Sequence, residues 1–273
     1  MKKKVILITG ASSGIGFDTA LKLAKQGHKV YGAARRVERM APLQENGVTP
    51  LLMDMTDETS MRSGIQRVLD AEGRIDVLVN NAGYGYLGAI ENVPMEEARK
   101  QLEVNLFGLA RLTQLVLPHM RSQHAGRIVN ISSIAGRAVI LFGGWYNVSK
   151  FAVEAFSDAL RMEMKPFGIA VSLVEPSGIK TDWGLIAADN LENSSRNSVY
   201  EDAGVKMAER LRWAYTSRLL SLPGSVTRAI VRAVNAGRPR TRYHAGAGAG
   251  VFIVLHSLLP ARWWDRMVRK LAG

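Results

Sequence analysis

The chain has 273 residues, enough for one α/β domain with a large core, and its composition is that of a soluble globular protein. It holds no cysteine, which excludes disulfides, thiol catalysis and cysteine metal sites, and its five histidines show no metal-ligand spacing, so no metal is expected. The net charge of +12 is uneven: residues 1–203 carry 23 Lys/Arg and 22 Asp/Glu, whereas residues 204–273 carry 13 and 2, which points to an anionic partner near the C-terminus.

The opening MKKKVILITG resembles a secretory leader only briefly, because its apolar run stops at Thr9-Gly10. It reads as a first buried strand of a cytoplasmic protein. Further strands are expected at 29–34, 49–53, 76–80, 127–132 and 169–174, with amphipathic helices near 14–26, 57–72, 95–121 and 147–166. Apolar strands alternating with helices predict a single-domain, Rossmann-type α/β fold: a doubly wound parallel sheet with helices on both faces. No internal repeat is present, and residues 1–273 are read as one catalytic domain. Residues 182–222, polar at first and then helical, read as an excursion over the site.

The turn after the first strand is TGASSGIG, residues 9–16. Gly10 permits a tight turn, Gly14 and Gly16 permit close backbone approach, and the following helix aims its N-terminus at a pyrophosphate. A second glycine run, GAGAG at 246–250, lies in no βαβ unit and reads as packing or hinge. The second strand ends GAARR. An acidic residue there would hold a ribose 2′-hydroxyl; Ala34 followed by Arg35 and Arg36 suits a 2′-phosphate instead. NADP(H) is therefore the preferred cofactor, with NAD(H) as the alternative. Asp54, after the third strand, is placed to accept from the adenine amino group.

Tyr146 and Lys150, in GWYNVSK, are four apart and share one helix face. This is either a surface pair or a phenol tuned for proton transfer. A free phenol has a pKa of about 10, poor for work near neutrality, and an adjacent ammonium stabilises the phenolate. NNAG (80–83), VNLFG (104–108), NISS (130–133), a tyrosine thirteen residues after Ser133, and PSGIKT (176–181) complete the set. Together with TGxxxGxG these motifs resemble the short-chain dehydrogenase/reductase family from residue 4 to about 182, nearest its hydroxysteroid and retinol dehydrogenase-like members.

The resemblance implies that Tyr146 is the general acid/base, Ser133 holds the substrate oxygen, Lys150 binds the nicotinamide ribose and lowers the tyrosine pKa, and Asn105 anchors a water in a proton relay. It implies a cofactor site built from Gly10, Ser12, Ser13, Gly14, Ile15, Gly16, Arg35, Arg36, Asp54, Met55, Asn81, Ala82, Gly83, Tyr146, Lys150, Pro176, Gly178, Ile179 and Thr181. Asn81 and Gly83 would border the adenosine, Ile179 and Thr181 the carboxamide, and Asn80 would tie neighbouring strands. The implied activity is NADP(H)-dependent interconversion of an apolar ketone or aldehyde and its alcohol, as in lipid or steroid metabolism. A non-catalytic NADPH-binding sensor or scaffold is the rival, and it would have no need of Tyr146.

Pocket walls are expected from 138–145, 84–87, Trp183 and Leu185, all apolar or aromatic. A homo-oligomer is expected from the family. The basic extension 243–273 ends in RWWDRMVRKL: on a helix, Trp263, Trp264, Met267, Val268 and Leu271 share one side, flanked by Arg262, Arg266, Arg269 and Lys270. This suits docking on the domain or a second subunit, or peripheral contact with an anionic membrane. No nucleic-acid motif accompanies the charge.

Overall fold

The computed structural model describes residues 2–218 and 220–272. Seven strands form one parallel sheet in the order β3-β2-β1-β4-β5-β6-β7: β1 (Val5–Thr9), β2 (Lys29–Ala34), β3 (Val48–Leu52), β4 (Val77–Asn80), β5 (Gly126–Ile131), β6 (Ile169–Pro176) and β7 (Arg242–Ala245). The helices are α1 (Gly14–Lys25), α2 (Ala41–Gln44), α3 (Glu58–Glu72), α4 (Met95–Leu102), α5 (Leu109–Ser122), α6 (Gly144–Met164), α7 (Asp182–Ser195), α8 (Glu201–Thr216), α9 (Gly224–Asn235), α10 (Ala249–Leu258) and α11 (Ala261–Ala272). Strand order reverses between β1 and β4, so a crevice opens at the carboxyl ends of these two strands.

Every residue of β1 is buried, because the sheet is covered on both sides. The pleat sends Ile6 and Ile8 into a core shared with α1 and α9, through Leu23, Val226 and Ile230. Val5 and Leu7 enter the opposite core with Ile65, Leu112, Val116 and Leu160 of α3, α5 and α6. Each such side chain contributes roughly 1.5–3 kcal/mol by leaving water. Local chemistry sets the helix ends. Asp57 caps α3 by accepting from the Thr59 N–H at 2.9 Å, and Gly73, at φ 67°, ends it.

Three features depart from the sequence reading. The seventh strand, Arg242–Ala245, lies at the sheet edge beside β6 and was not expected. The segment 95–121 is two helices joined by a π turn at Glu103–Gly108. The polar run within 182–222 is itself helical, being most of α7, and α7 packs on α8. The glycine run at 246–250 forms the turn between β7 and α10, with Gly246 at φ 90° and Gly248 at φ 71°.

Candidate active site

The glycine loop lies at the reversal of strand order, between β1 and α1. Gly10 has φ 68° and Gly14 φ 56°, conformations that favour glycine. Asn81 knits this loop to the end of β4. Its Nδ2 donates to the carbonyls of Thr9 at 2.9 Å and Gly10 at 3.3 Å, while the Thr9 hydroxyl accepts from the N–H groups of Asn81 and Ala82, both at 3.0 Å. Gly16 also has a structural reason to be glycine. A Cβ there would lie 2.3 Å from the Gly10 carbonyl oxygen and 2.5 Å from Asn81 Nδ2, so glycine at 16 lets the loop close on itself. Gly16→Ala is expected to cost roughly 1–3 kcal/mol by overpacking, read as a lowered midpoint in thermal denaturation.

Ser13 begins α1 without a side-chain cap, and the first turn of the helix holds no acidic residue. Its leading N–H groups therefore face outward with the positive end of the helix dipole. A Cβ on Gly14 would approach the Thr181 methyl to 3.2 Å, so the glycine loop and the segment after β6 face each other closely. Thr181 begins α7, Ile179 is buried, and Ile179 bridges to Ser221. A Cβ at Gly178 would meet Leu220 at 2.8 Å. Arg35 and Arg36 are exposed beyond buried Ala34, and neither makes a salt bridge among the described residues. Asp54 is half-buried, and its Oδ1 is occupied by the N–H and hydroxyl of Thr56, both at 2.9 Å. Any adenine contact falls to its other oxygen. Met55 is buried, and its carbonyl would lie 2.2 Å from a Cβ at Gly108. This crevice, with helix-terminal N–H groups at its edge and a glycine loop packed closely against Asn81, Ala82 and Thr181, fits a dinucleotide.

Four polar side chains gather at the far end of the crevice. Tyr146 and Lys150 project from the first turns of α6. Ser133 follows β5, accepts from the Ala135 N–H at 3.0 Å, and hydrogen-bonds Tyr146 through its side chain. Asn147 holds the loop between them: its Nδ2 donates to the carbonyls of Ala135 at 2.7 Å and Ala138 at 3.1 Å. Asn105, on the π turn, donates to the Tyr84 carbonyl at 2.9 Å and to Ser149 Oγ at 3.1 Å, and accepts from the Tyr84 N–H at 3.0 Å. Its side chain is thus spent on protein partners. It holds Gly83 where a Cβ would lie 3.0 Å from Asn105 Oδ1 and 3.7 Å from Lys150 Nζ. Asn80 ties β4 to the neighbouring strand β5 and to α5, donating to Asn130 Oδ1 at 2.9 Å and Thr113 Oγ1 at 3.0 Å.

Burial dominates the electrostatics of the pair. Burial pushes the Tyr146 phenol up to about 12, partly opposed by its hydrogen bond with Ser133. Burial also pushes the Lys150 ammonium down to about 8, partly opposed by Glu154. Lys150 Nζ donates to the Ile131 carbonyl at 3.0 Å and lies 5.9 Å from the Tyr146 ring centre. In this arrangement the phenol is protonated at neutral pH.

A second group of charges was missed from sequence. Glu154 lies one turn after Lys150, and burial raises its carboxyl to about 7. Arg242 of β7 pairs with Glu154 at 3.0 Å and with Glu175 at 3.2 Å, and His244 Nδ1 lies 2.6 Å from Glu175. The four-residue spacing from Lys150 to Glu154 was the available signal.

Over this end of the crevice, the Trp183 ring lies tilted at 5.0 Å from Tyr146 and 6.3 Å from Tyr215. Leu87, Ala188, Leu191, Phe142, Met207 and Leu211 pack in the same apolar cluster. Phe142 adopts φ 59°, a left-handed backbone rare for an aromatic residue, and its carbonyl accepts from the Gly88 N–H at 2.8 Å. Leu185, expected in this wall, faces outward at 38% exposure, and α8 supplies Met207, Leu211 and Tyr215 instead.

Residues 4–189 match the family model described as short chain dehydrogenase. The chain belongs to the short-chain dehydrogenase/reductase family. Members of this family are oxidoreductases, and the similarity extends over nearly the whole chain. A probable short-chain type dehydrogenase/reductase, VdlC, of Helicobacter pylori is 37% identical, over 96% of each chain. A 3-ketodihydrosphingosine reductase of Bacteroides thetaiotaomicron is 43% identical over 74% of this chain and 72% of its own length. A solved short-chain dehydrogenase of Streptomyces avermitilis superposes with a TM-score of 0.81 at 31% identity, covering 99% of this chain and 98% of that one. Other structural relatives in the family bind either dinucleotide. A Burkholderia phymatum member holds NAD (TM-score 0.77, 26% identity, 88% and 89% of the chains), and a metagenomic member holds NADP (0.70, 25%, 89% and 96%).

Proposed function

We propose that this protein is an NADP(H)-dependent oxidoreductase that interconverts an apolar ketone or aldehyde and its alcohol, with Tyr146 as general acid/base. The observation that carries the reading is the hydrogen-bonded Tyr146–Ser133 pair beside Lys150, set under the apolar cover of Trp183. The cofactor would lie against Gly10 to Gly16, Arg35, Arg36, Asp54, Asn81 to Gly83 and Pro176 to Thr181, and it supplies or removes the hydride. Ser133 donates a hydrogen bond to the carbonyl oxygen and polarises it. Tyr146 passes its proton to that oxygen in reduction and takes one up in oxidation. Lys150 keeps a positive charge near the phenolate left behind, which lowers its cost. Asn105 fixes the Gly83–Tyr84 backbone beside Lys150; anchoring a relay water remains its proposed second role. Trp183 and α7–α8 exclude water from the reacting atoms.

The NADP(H) preference is supported by Arg35 and Arg36, whose guanidiniums have no salt-bridge partner among the described residues. A homo-oligomer is supported by apolar side chains exposed on and beside the α4–α6 helices, among them Phe107, Val148 and Phe151.

Calorimetric titration with NADPH and separately with NADH, followed by turnover assays on apolar ketones and aldehydes, tests the reading. NADPH is expected to bind at least roughly tenfold tighter, since each guanidinium–phosphate hydrogen bond contributes about 1.5–3 kcal/mol. Ala34→Asp combined with Arg35→Ser is expected to reverse that order. Wild-type preference for NADH would refute the assignment of the two arginines, and absence of binding by either would refute the enzyme.

A further inference from the structure

Helix α10 is apolar on the side that faces away from the protein. Val251, Val254, Leu255 and Leu258, at i, i+3, i+4 and i+7, are 73%, 58%, 37% and 76% exposed. That spacing is the buried stripe of an ordinary amphipathic helix, here turned outward, while Ile253 and Ala249 hold the inner side. Residues 243–261 contain no Lys, Arg, Asp or Glu. The next helix continues the surface with a different chemistry. Its two tryptophans, expected to share a face, are divided. Trp264 is buried, in edge-to-face contact with Phe252 at 4.9 Å and His256 at 4.6 Å between ring centres, and its Nε1 donates to the Val139 carbonyl at 3.3 Å. Trp263 is 62% exposed and shares a face with Arg266 and Lys270 at i+3 and i+7, both exposed, with exposed Arg262 and Arg269 beside them. The Leu271 side chain lies outside the described residues.

We propose that α10 and α11 form a docking surface for an anionic lipid bilayer, lying in the membrane plane. The apolar stripe of α10 and the Trp263 indole would enter the headgroup boundary, and the α11 cations would pair with acidic lipid. Charge decides between the two occupants such a stripe admits. A second copy would set the basic flank of α11 against itself, since Asp265 is the only acid in that helix. An anionic surface complements it. No helix among the described residues is long and apolar enough to cross a membrane, so the contact is peripheral. Because Trp264 ties α11 to Val139, and α10 packs on the turn Ile134–Gly136, docking would bring the loop between Ser133 and Tyr146 close to the lipid. The inference does not depend on which substrate the site takes, and binding is measured without turnover.

Co-sedimentation of the full chain with phosphatidylcholine vesicles, with and without phosphatidylglycerol, tests it. The protein is expected to pellet with the mixed vesicles at low salt and to remain in solution with phosphatidylcholine alone or at high salt. Arg266→Ser with Lys270→Ser should lower partitioning by on the order of 30-fold, and Val254→Ser with Leu258→Ser by roughly tenfold or more. All four side chains are exposed, so melting points should be unchanged, which separates lost docking from lost folding. Equal partitioning to neutral and anionic vesicles, no pelleting, or variants that pellet like the wild type would each overturn the proposal. So would a dimer in solution that Val254→Ser with Leu258→Ser dissociates while vesicle binding is absent.

Discussion

Tyr146→Phe is expected to lower kcat for carbonyl reduction by on the order of 10³-fold or more, with dinucleotide affinity and melting point nearly unchanged. General acid–base groups typically contribute 10²–10⁴-fold. Ser133 can still hydrogen-bond the carbonyl oxygen, but an alcohol oxygen of ordinary acidity is a poor relay without Tyr146. The ring itself remains, so the tilted contact at 5.0 Å with Trp183 and the apolar cluster around it persist. Because burial holds the phenol up to about 12, the wild-type donor stays loaded through neutrality, and reduction should not decline with Tyr146 titration below that range. Oxidation needs the phenolate and should rise with pH. Steady-state kinetics in both directions, with a dinucleotide titration of the variant, decides this. A variant that retains wild-type turnover would leave the phenol without a catalytic role and favour the non-catalytic reading of the fold.

The parts of this site that the sequence exposes are those encoded by local period. Six strands are continuous apolar runs, and the Tyr146–Lys150 pair follows from the helical repeat alone. The glycine loop is legible because Gly10 and Gly14 need left-handed backbone. What was not legible depends on tertiary neighbours. Strand β7 is four residues long and sits at an edge, held by pairing with β6, so no periodicity announces it. The packing of Asn81 against Gly16 is a contact between segments 65 residues apart, which no local pattern announces. The break at Glu103–Gly108 is a π turn inside an uninterrupted helical pattern, and it is needed to place Asn105. The two adjacent tryptophans divide between interior and solvent because Val139 and Phe252, distant in sequence, select one of them. The electrostatics of Tyr146 likewise depend on tertiary burial. The i+4 spacing places the ammonium nearby, but burial, which no spacing reveals, acts on both groups, raising the phenol and lowering the ammonium.

Lys150→Met is expected to move activity and stability in opposite directions. Turnover should fall by on the order of 10²–10³-fold, because the positive charge beside the developing phenolate is lost. The fold should gain stability at pH 7. Lys150 is buried, and its ammonium is pushed down to about 8 from a usual value near 10.5. Below pH 8 the lysine is charged in both folded and unfolded chains, and the folded state bears the cost of burying that charge, about 3 kcal/mol. Losing the 3.0 Å hydrogen bond to the Ile131 carbonyl offsets about 1 kcal/mol of the gain. A net stabilisation of about 2 kcal/mol should appear as a rise of several degrees in Tm. The sign of the pH dependence follows. Between pH 8 and 10.5 the unfolded chain binds the proton that the folded chain has released, so the wild type gains stability as pH rises through this window. The variant lacks that gain, and the difference between the two should shrink toward pH 10.5. Wild-type reduction should decline as pH rises through about 8, when the ammonium discharges. Denaturant melts at pH 7 and pH 10, beside initial rates from pH 6 to 9, measure both effects. A variant less stable than the wild type at pH 7 would mean that the hydrogen bond to Ile131 and the attraction of Glu154 outweigh the burial cost, and that Lys150 holds the structure as well as the charge.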